Sequence, residues 1–218
     1  MADNDSRTGA RYANAAILDW AATVHAPHDA ALEHAFSAPG RESIPAIQVG
    51  PSEGRTLEIL MRLVNAKKVV EVGTLAAYST IWLARGMAVD GKIVTLEADP
   101  KHAEISRRNL AEAGLSNRVE VRQGDAQATL AELESWGPVD AVFVDADKEN
   151  YHAYGRWAAR NLRPGGLLVG DNAYLFGNLL EETDRGTAMR TFHEEAAKHF
   201  TSVCLPTPDG LVIAIRKP

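Results

Sequence analysis

Cysteine is almost missing from this chain: Cys204 stands alone among 218 residues. No intrachain disulfide can form, and a reducing, cytoplasmic setting is expected. Long apolar runs are missing too. No stretch approaches the roughly 20 residues that a membrane-spanning helix needs. The opening Met1-Ala2-Asp3-Asn4-Asp5-Ser6 also lacks the apolar core of a secretion signal. Basic charge is not in excess, since 23 Lys and Arg stand against 29 Asp and Glu, for a net charge of −6. Affinity for nucleic-acid phosphates rests on clustered Lys and Arg, so neither nucleic acid nor membrane is expected as a partner. There is no repeat and no G-x-G-x-x-G. Gly73, which follows a strand-like run, leads instead into Thr74-Leu75-Ala76-Ala77-Tyr78. A dinucleotide needs those glycines around its pyrophosphate, so an NAD-dependent dehydrogenase is disfavoured.

What is present is apolar content of 45%, enough for one substantial core. Residues 1–10 read as disordered. Residues 11–37 read as two short helices broken around His25-Ala26-Pro27-His28-Asp29. Residues 38–51 read as loop, and Ser52 is placed to cap a helix reaching about Ala66. From Lys68 onward strand and helix alternate. Strands are expected at 69–72, 93–96, 119–122, 139–144 and 167–169, with helices at 78–87, 100–113, 126–135, 151–161 and 187–199. Pro100 suits a first helical position and Gly114 a helix end. The strands are nearly continuous in Val, Ile and Leu, as in parallel strands covered on both faces. Two last strands, 202–205 and 211–215, flank Pro206-Thr207-Pro208-Asp209-Gly210 and should pair antiparallel. The expected fold is a doubly wound, mostly parallel α/β sheet of seven strands with a C-terminal antiparallel hairpin. Residues 1–44 form a helical extension to the domain at 45–218.

Two strand ends carry the densest chemistry. Val142-Phe143-Val144 runs into Asp145-Ala146-Asp147-Lys148, and Val169-Gly170 into Asp171-Asn172. Asp145, Asp171 and Asn172 offer three hard oxygens, a set that suits Mg²⁺ or Ca²⁺ and not zinc. Ligands of open α/β sheets bind at the carboxyl ends of the strands. Asp147 reads as a helix-capping acid, outside the metal set. The first strand ends in Glu71-Val72-Gly73-Thr74, the second in Glu97 and the third in Gly124-Asp125-Ala126-Gln127. A glycine at the first turn lets a ligand approach the backbone, and Glu97 can accept protons from both hydroxyls of a ribose. A nucleoside without phosphates fits this better than a dinucleotide.

These residues resemble the S-adenosylmethionine-dependent O-methyltransferases of the cation-dependent class, the caffeoyl-CoA and catechol O-methyltransferases. The resemblance runs from about Pro45 to Lys217. Its marks are Glu71-Val72-Gly73-Thr74 with Tyr78-Ser79, Leu96-Glu97-Ala98-Asp99-Pro100, Gly124-Asp125-Ala126, Val144-Asp145-Ala146-Asp147-Lys148, Arg163-Pro164-Gly165-Gly166, Asp171-Asn172 and Asp209-Gly210. It implies that Asp145, Asp171 and Asn172 bind Mg²⁺, Ca²⁺ or Mn²⁺ and that Lys148 is the general base. It implies that Glu97 holds the ribose, that Asp125, Ala126 and Gln127 edge the adenine, and that Glu71, Gly73, Ser79 and Val49 line the methionine part beside Asp145. A homodimer and a small aromatic acceptor with vicinal hydroxyls follow from it as well. A bound cation lowers the pKa of such a hydroxyl and fixes its direction.

The family usually has glycine where this chain has Ala77. Residues 78–83 continue as a helix, so position 77 is expected in its first turn with negative φ. The aromatics beside the second acidic pair, Tyr174 and Phe176, either flank an acceptor or pack the loop. Asp209 either reaches the site or serves the turn. His25, His28 and His34 match no zinc spacing and read as solvated helix-edge residues. Trp20, Trp82, Trp136 and Trp157 read as core or interface. A non-catalytic protein binding S-adenosylmethionine or S-adenosylhomocysteine is the alternative. An amino-group methyltransferase fits less well, because Asp171-Asn172 is followed by Ala173-Tyr174 and not by Pro-Pro-aromatic.

Overall fold

The computed structural model describes residues 12–218; the stretch 1–10, expected to be disordered, lies outside them. Three helices lead in: α1 (Ala15–His25), α2 (Ala30–Glu42) and α3 (Pro51–Leu63). The alternating body follows as β1 (Lys68–Val72), α4 (Tyr78–Gly86), β2 (Lys92–Glu97), α5 (Pro100–Glu112), β3 (Val119–Gln123), α6 (Ala126–Glu132), β4 (Val139–Val144), α7 (Tyr151–Asn161) and β5 (Leu162–Gly170). It closes with α8 (Asp184–His199), β6 (Phe200–Leu205) and β7 (Leu211–Arg216). The sheet has seven strands in the order β3-β2-β1-β4-β5-β7-β6. Strands β1 to β5 run parallel to one another, and β7 is antiparallel to both β5 and β6. This is the layout expected from the strand spacing.

Burial on both faces explains the continuous apolar strands. Val69, Ile93, Phe143 and Val169 face the layer made by α3 and α4, with Trp82 and Tyr78 in that core. Val70, Val142, Val144 and Leu168 face the opposite layer of α7 and α8, with Trp157 and Phe192. Strand order reverses between β1 and β4, and the crevice at such a reversal is where ligands enter an open sheet. The first helix differs from the rest, because none of its residues is buried. Ile17, Leu18, Trp20 and Val24 on it are exposed.

Several local expectations shift. Helix α2 continues through Pro39 to Glu42 where a loop was expected. Leu32, Ala35, Ala38 and Pro39 form its buried face, and this packing outweighs the roughly 3 kcal/mol that an interior proline costs. The N-cap of α3 is Gly50 and not Ser52. Pro51 takes the first helical position, and the Glu53 carboxylate accepts the Gly50 N–H at 2.8 Å. Ala77 has φ +63°, so it is a left-handed N-cap to α4, not a first-turn residue. The loop needs that conformation to turn from β1 into α4, whatever side chain occupies it. Ala77 therefore bears the roughly 1–2 kcal/mol that a Cβ costs in this region.

Candidate active site

A cavity of about 880 Å³ opens over the carboxyl ends of β1, β2, β3 and β4. At the end of β1, Gly73 has φ +97°, and a Cβ there would overlap the Asp145 backbone carbonyl. The two strand ends are laced together, with the Asp145 N–H donating to the Val72 carbonyl at 2.8 Å. Helix α4 begins without a side-chain cap, and its Tyr78 and Ser79 lie on the cavity wall. Unpaired N–H groups at such a start attract anions. Glu71 does not reach the wall. It is fully buried beneath the loop, where it accepts the Ser79 hydroxyl at 2.6 Å and that of Thr80. Burial pushes its carboxyl up to about 7 against the pull of those hydroxyls.

Glu97 ends β2 and lines the cavity. One carboxylate oxygen accepts from the amides of Thr74 at 3.2 Å and Leu75 at 2.8 Å, and the other accepts from Asp99 at 2.9 Å. His102 stands 3.6 Å away, on the wall and unforeseen. Asp125 and Ala126 are wall residues, and Asp125 caps α6 by accepting from Ala128 at 2.8 Å. Gln127 is exposed, lies off the wall and donates to Asn150 at 3.0 Å. Val49 lines the near side.

At the end of β4, Asp145 and Lys148 face the cavity. The buried Lys148 ammonium donates to Asp145 at 3.1 Å and to the Tyr151 hydroxyl at 2.8 Å. Burial, together with the carboxylates of Asp145 and Asp171, holds the Tyr151 phenol well above its usual range. Asp147 makes no side-chain cap. It accepts instead from the Tyr154 hydroxyl at 2.6 Å and from Asn150. Next door, Asp171 continues β5 and donates its N–H to the Val144 carbonyl at 3.0 Å. Asp171 is buried, and its carboxyl accepts the Asn172 N–H at 2.8 Å. Burial first, then the charges of Asp145 and Glu53, push it up to about 7. Asn172, left-handed at φ +51°, lines the cavity. Among the described residues, no group of three or more His, Cys, Asp or Glu is arranged to hold a metal ion. The candidate set is two carboxylates and an amide.

The loop after β5 brings Phe176 to the wall and the first turn of α8 brings Arg185, whereas Tyr174 lies against Gly210. Asp209 serves the turn, with its carboxylate accepting the Phe176 N–H and its carbonyl accepting the Tyr174 N–H, both at 2.8 Å. His28 is not solvated as expected. It bonds the Tyr78 hydroxyl at 2.7 Å and Glu33 at 2.9 Å. Tyr151 was legible in principle, since Asp145, Lys148 and Tyr151 recur every three residues. Glu53 carried no local signal, because it arrives from α3, far away in sequence.

A doubly wound sheet with an acid ending β2, a glycine turn after β1 and a cavity over the strand ends is the layout of a ligand-binding α/β domain without a pyrophosphate fingerprint. A model of the O-methyltransferase family matches residues 24–217. The chain belongs to that family, and it is an S-adenosylmethionine-dependent O-methyltransferase. It is 47% identical over 161 residues to a catechol O-methyltransferase of Mycobacterium tuberculosis, covering 74% of this chain and 73% of that one. It is 43% identical over 164 residues to a catechol O-methyltransferase of Niastella koreensis, covering 74% of each. The crystal structure of a Bacillus cereus O-methyltransferase in complex with SAH superposes with a TM-score of 0.88 at 37% identity, covering 93% of this chain and 97% of that one.

Proposed function

We propose that this protein moves a methyl group from S-adenosylmethionine to one hydroxyl of a catechol-like acceptor, assisted by a divalent cation. The observation that carries the reading is the acid pair on adjacent strand ends. Asp145 pairs with the buried Lys148 at 3.1 Å, and Asp171 beside it is pushed up to about 7, by burial first and then by the charges of Asp145 and Glu53. Hard carboxylate and amide oxygens suit Mg²⁺, Ca²⁺ or Mn²⁺, and Asp145, Asp171 and Asn172 would hold the ion. When bound, the ion would acidify and orient a vicinal dihydroxy group.

The remaining roles belong to the chain. Lys148, in its neutral amine form, takes the proton from the attacking hydroxyl and becomes the ammonium. Glu97 accepts from the ribose hydroxyls on the lone pairs its three amides leave free. Asp125 and Ala126 border the adenine, with Gln127 at its outer edge. Gly73, Ser79 and Val49 bound the methionine part beside Asp145, and Glu71 holds Ser79 from behind. The amides at the start of α4 attract the methionine carboxylate. Alignment of oxygen, methyl and sulfur within this wall supplies much of the rate.

The exposed Ile17, Leu18, Trp20 and Val24 of α1 support a homodimer, since a second copy would cover them. The single cysteine supports a cytoplasmic setting, and among the described residues no helix is long and apolar enough to cross a membrane.

A methyl-transfer assay over catechols and isolated phenols tests the reading. Activity on catechols should vanish in EDTA and return with Mg²⁺. Lys148→Ala should lower kcat by about 10²- to 10⁴-fold, with cofactor affinity nearly unchanged. Full turnover in chelator, or efficient methylation of isolated phenols, overturns it.

A further inference from the structure

We infer that Tyr151 is the positioning residue of the transfer: its hydroxyl fixes the Lys148 amine relative to the two strand ends that carry Asp145 and Asp171. The inference rests on Lys148 being the general base. Tyr151 is fully buried, with Phe192 edge-on at 5.3 Å between ring centroids. Its hydroxyl lies 2.8 Å from the Asp171 carbonyl and 3.1 Å from the Val144 carbonyl. Both carbonyls can only accept, so the single phenolic proton points to them. The phenol oxygen therefore accepts from Lys148, whose nitrogen is 2.8 Å away. Donation to a carbonyl polarises the hydroxyl and makes its oxygen a stronger acceptor.

The geometry has a consequence for the reaction. Val144 is the last residue of β4, directly before Asp145, and Asp171 directly follows β5. One hydroxyl thus ties the lysine to both acid-bearing strand ends. Lys148 has a flexible four-carbon stem, and among the described residues Asp145 at 3.1 Å is its one other hydrogen-bond partner. Without Tyr151 the amine would follow Asp145 alone. A base held loosely loses rate, because small misplacements of reacting groups are costly. The effect should appear in the chemical step and not in binding, since Tyr151 does not line the cavity.

The test is a cycle of Tyr151→Phe, Lys148→Ala and the double variant, with kcat, acceptor KM and cofactor Kd measured for each. Phenylalanine keeps the ring and its packing. Tyr151→Phe should lower kcat by about 10- to 100-fold, with KM and Kd within about twofold of wild type. In the Lys148→Ala background it should change kcat less than about twofold, because the two act as one unit. Wild-type kcat in Tyr151→Phe, or losses that multiply in the double variant, overturns the inference. Wild-type kcat in Lys148→Ala instead overturns the base reading, so the two failures are distinct. A measurement on the unmodified protein covers a variant that does not fold. The Lys148 side-chain ¹H–¹⁵N signal should exchange with water more slowly than those of surface lysines, and equal exchange overturns the inference.

Discussion

At the end of β2, Glu97 accepts three backbone N–H groups; at the end of β5, Asp171 accepts one and faces the charges of Asp145 and Glu53. Both are acids at the carboxyl edge of one sheet. The first is hydrogen-bonded by its own backbone and shapes the neighbouring loop. The second is left short of positive charge beside the buried Lys148. One half of the rim is therefore an acid held by backbone donors and the other a buried acid crowded by like charge; in the proposed function the first takes the sugar and the second faces the cation. The two acids diverge because the loop after β1 turns its amides onto Glu97, whereas the buried Asp171 accepts one amide and faces two like charges.

The largest expected effect breaks the contact between the halves. Gly73→Ala places a methyl group against the Asp145 carbonyl at a positive φ. Stability should fall by about 3–5 kcal/mol, and calorimetry should detect no cofactor binding. Glu97→Ala strips the amide-held half of its acceptor and strands three amides. Cofactor affinity should fall about tenfold or more, read by titration, with the response to Mg²⁺ retained.

The crowded half should reveal itself through pH. In metal-free protein Asp171 keeps its proton up to about 7, whereas in the unfolded chain it ionises near pH 4. Between those values the unfolded state binds fewer protons, so stability contributed by this group is lost as pH rises from about 4 to about 7. The buried Glu71, also raised to about 7, adds to the same slope. Melting of the metal-free protein should weaken steadily across this window. Asp171→Asn should flatten the slope, and Mg²⁺ should restore stability at the upper end. A slope that the substitution leaves unchanged would locate the imbalance elsewhere.

The smallest effect sharpens the Glu97 half. Ala77→Gly relieves the left-handed strain and removes one buried methyl, terms of about 1–2 and about 0.8 kcal/mol. The variant should melt slightly higher, by less than about 1 kcal/mol in stability, with cofactor affinity kept. A clear loss of stability would mean that the Ala77 methyl group packs better than its backbone suffers.

Much of this was legible in order and type. Apolar strand runs separated by helix-period segments, and a turn-rich link before the last strand, determined a parallel sheet with an antiparallel end. The acids at strand ends and Lys148 three residues after Asp145 determined which residues meet at one rim, because every parallel strand delivers its end to the same edge. Local pattern failed where distant packing decides. The helix through Pro39 is held by a face buried against the rest of the molecule. Ala77 takes a left-handed turn because β1 and α4 must join at the cavity, and propensity for the following helix carries no information about that join.

The sequence by itself determined the fold and the identity of the rim acids, since these depend on periodicity and on spacing along the chain, and its motifs carried the resemblance to the family. Tertiary structure alone decided the charge and reach of each acid. Glu71 sank beneath the loop, Glu53 arrived from α3 to crowd Asp171, and the hydroxyl of Tyr151 closed onto Lys148. Burial and the sum of neighbouring charges are set by distances through space, and no spacing along a chain encodes them.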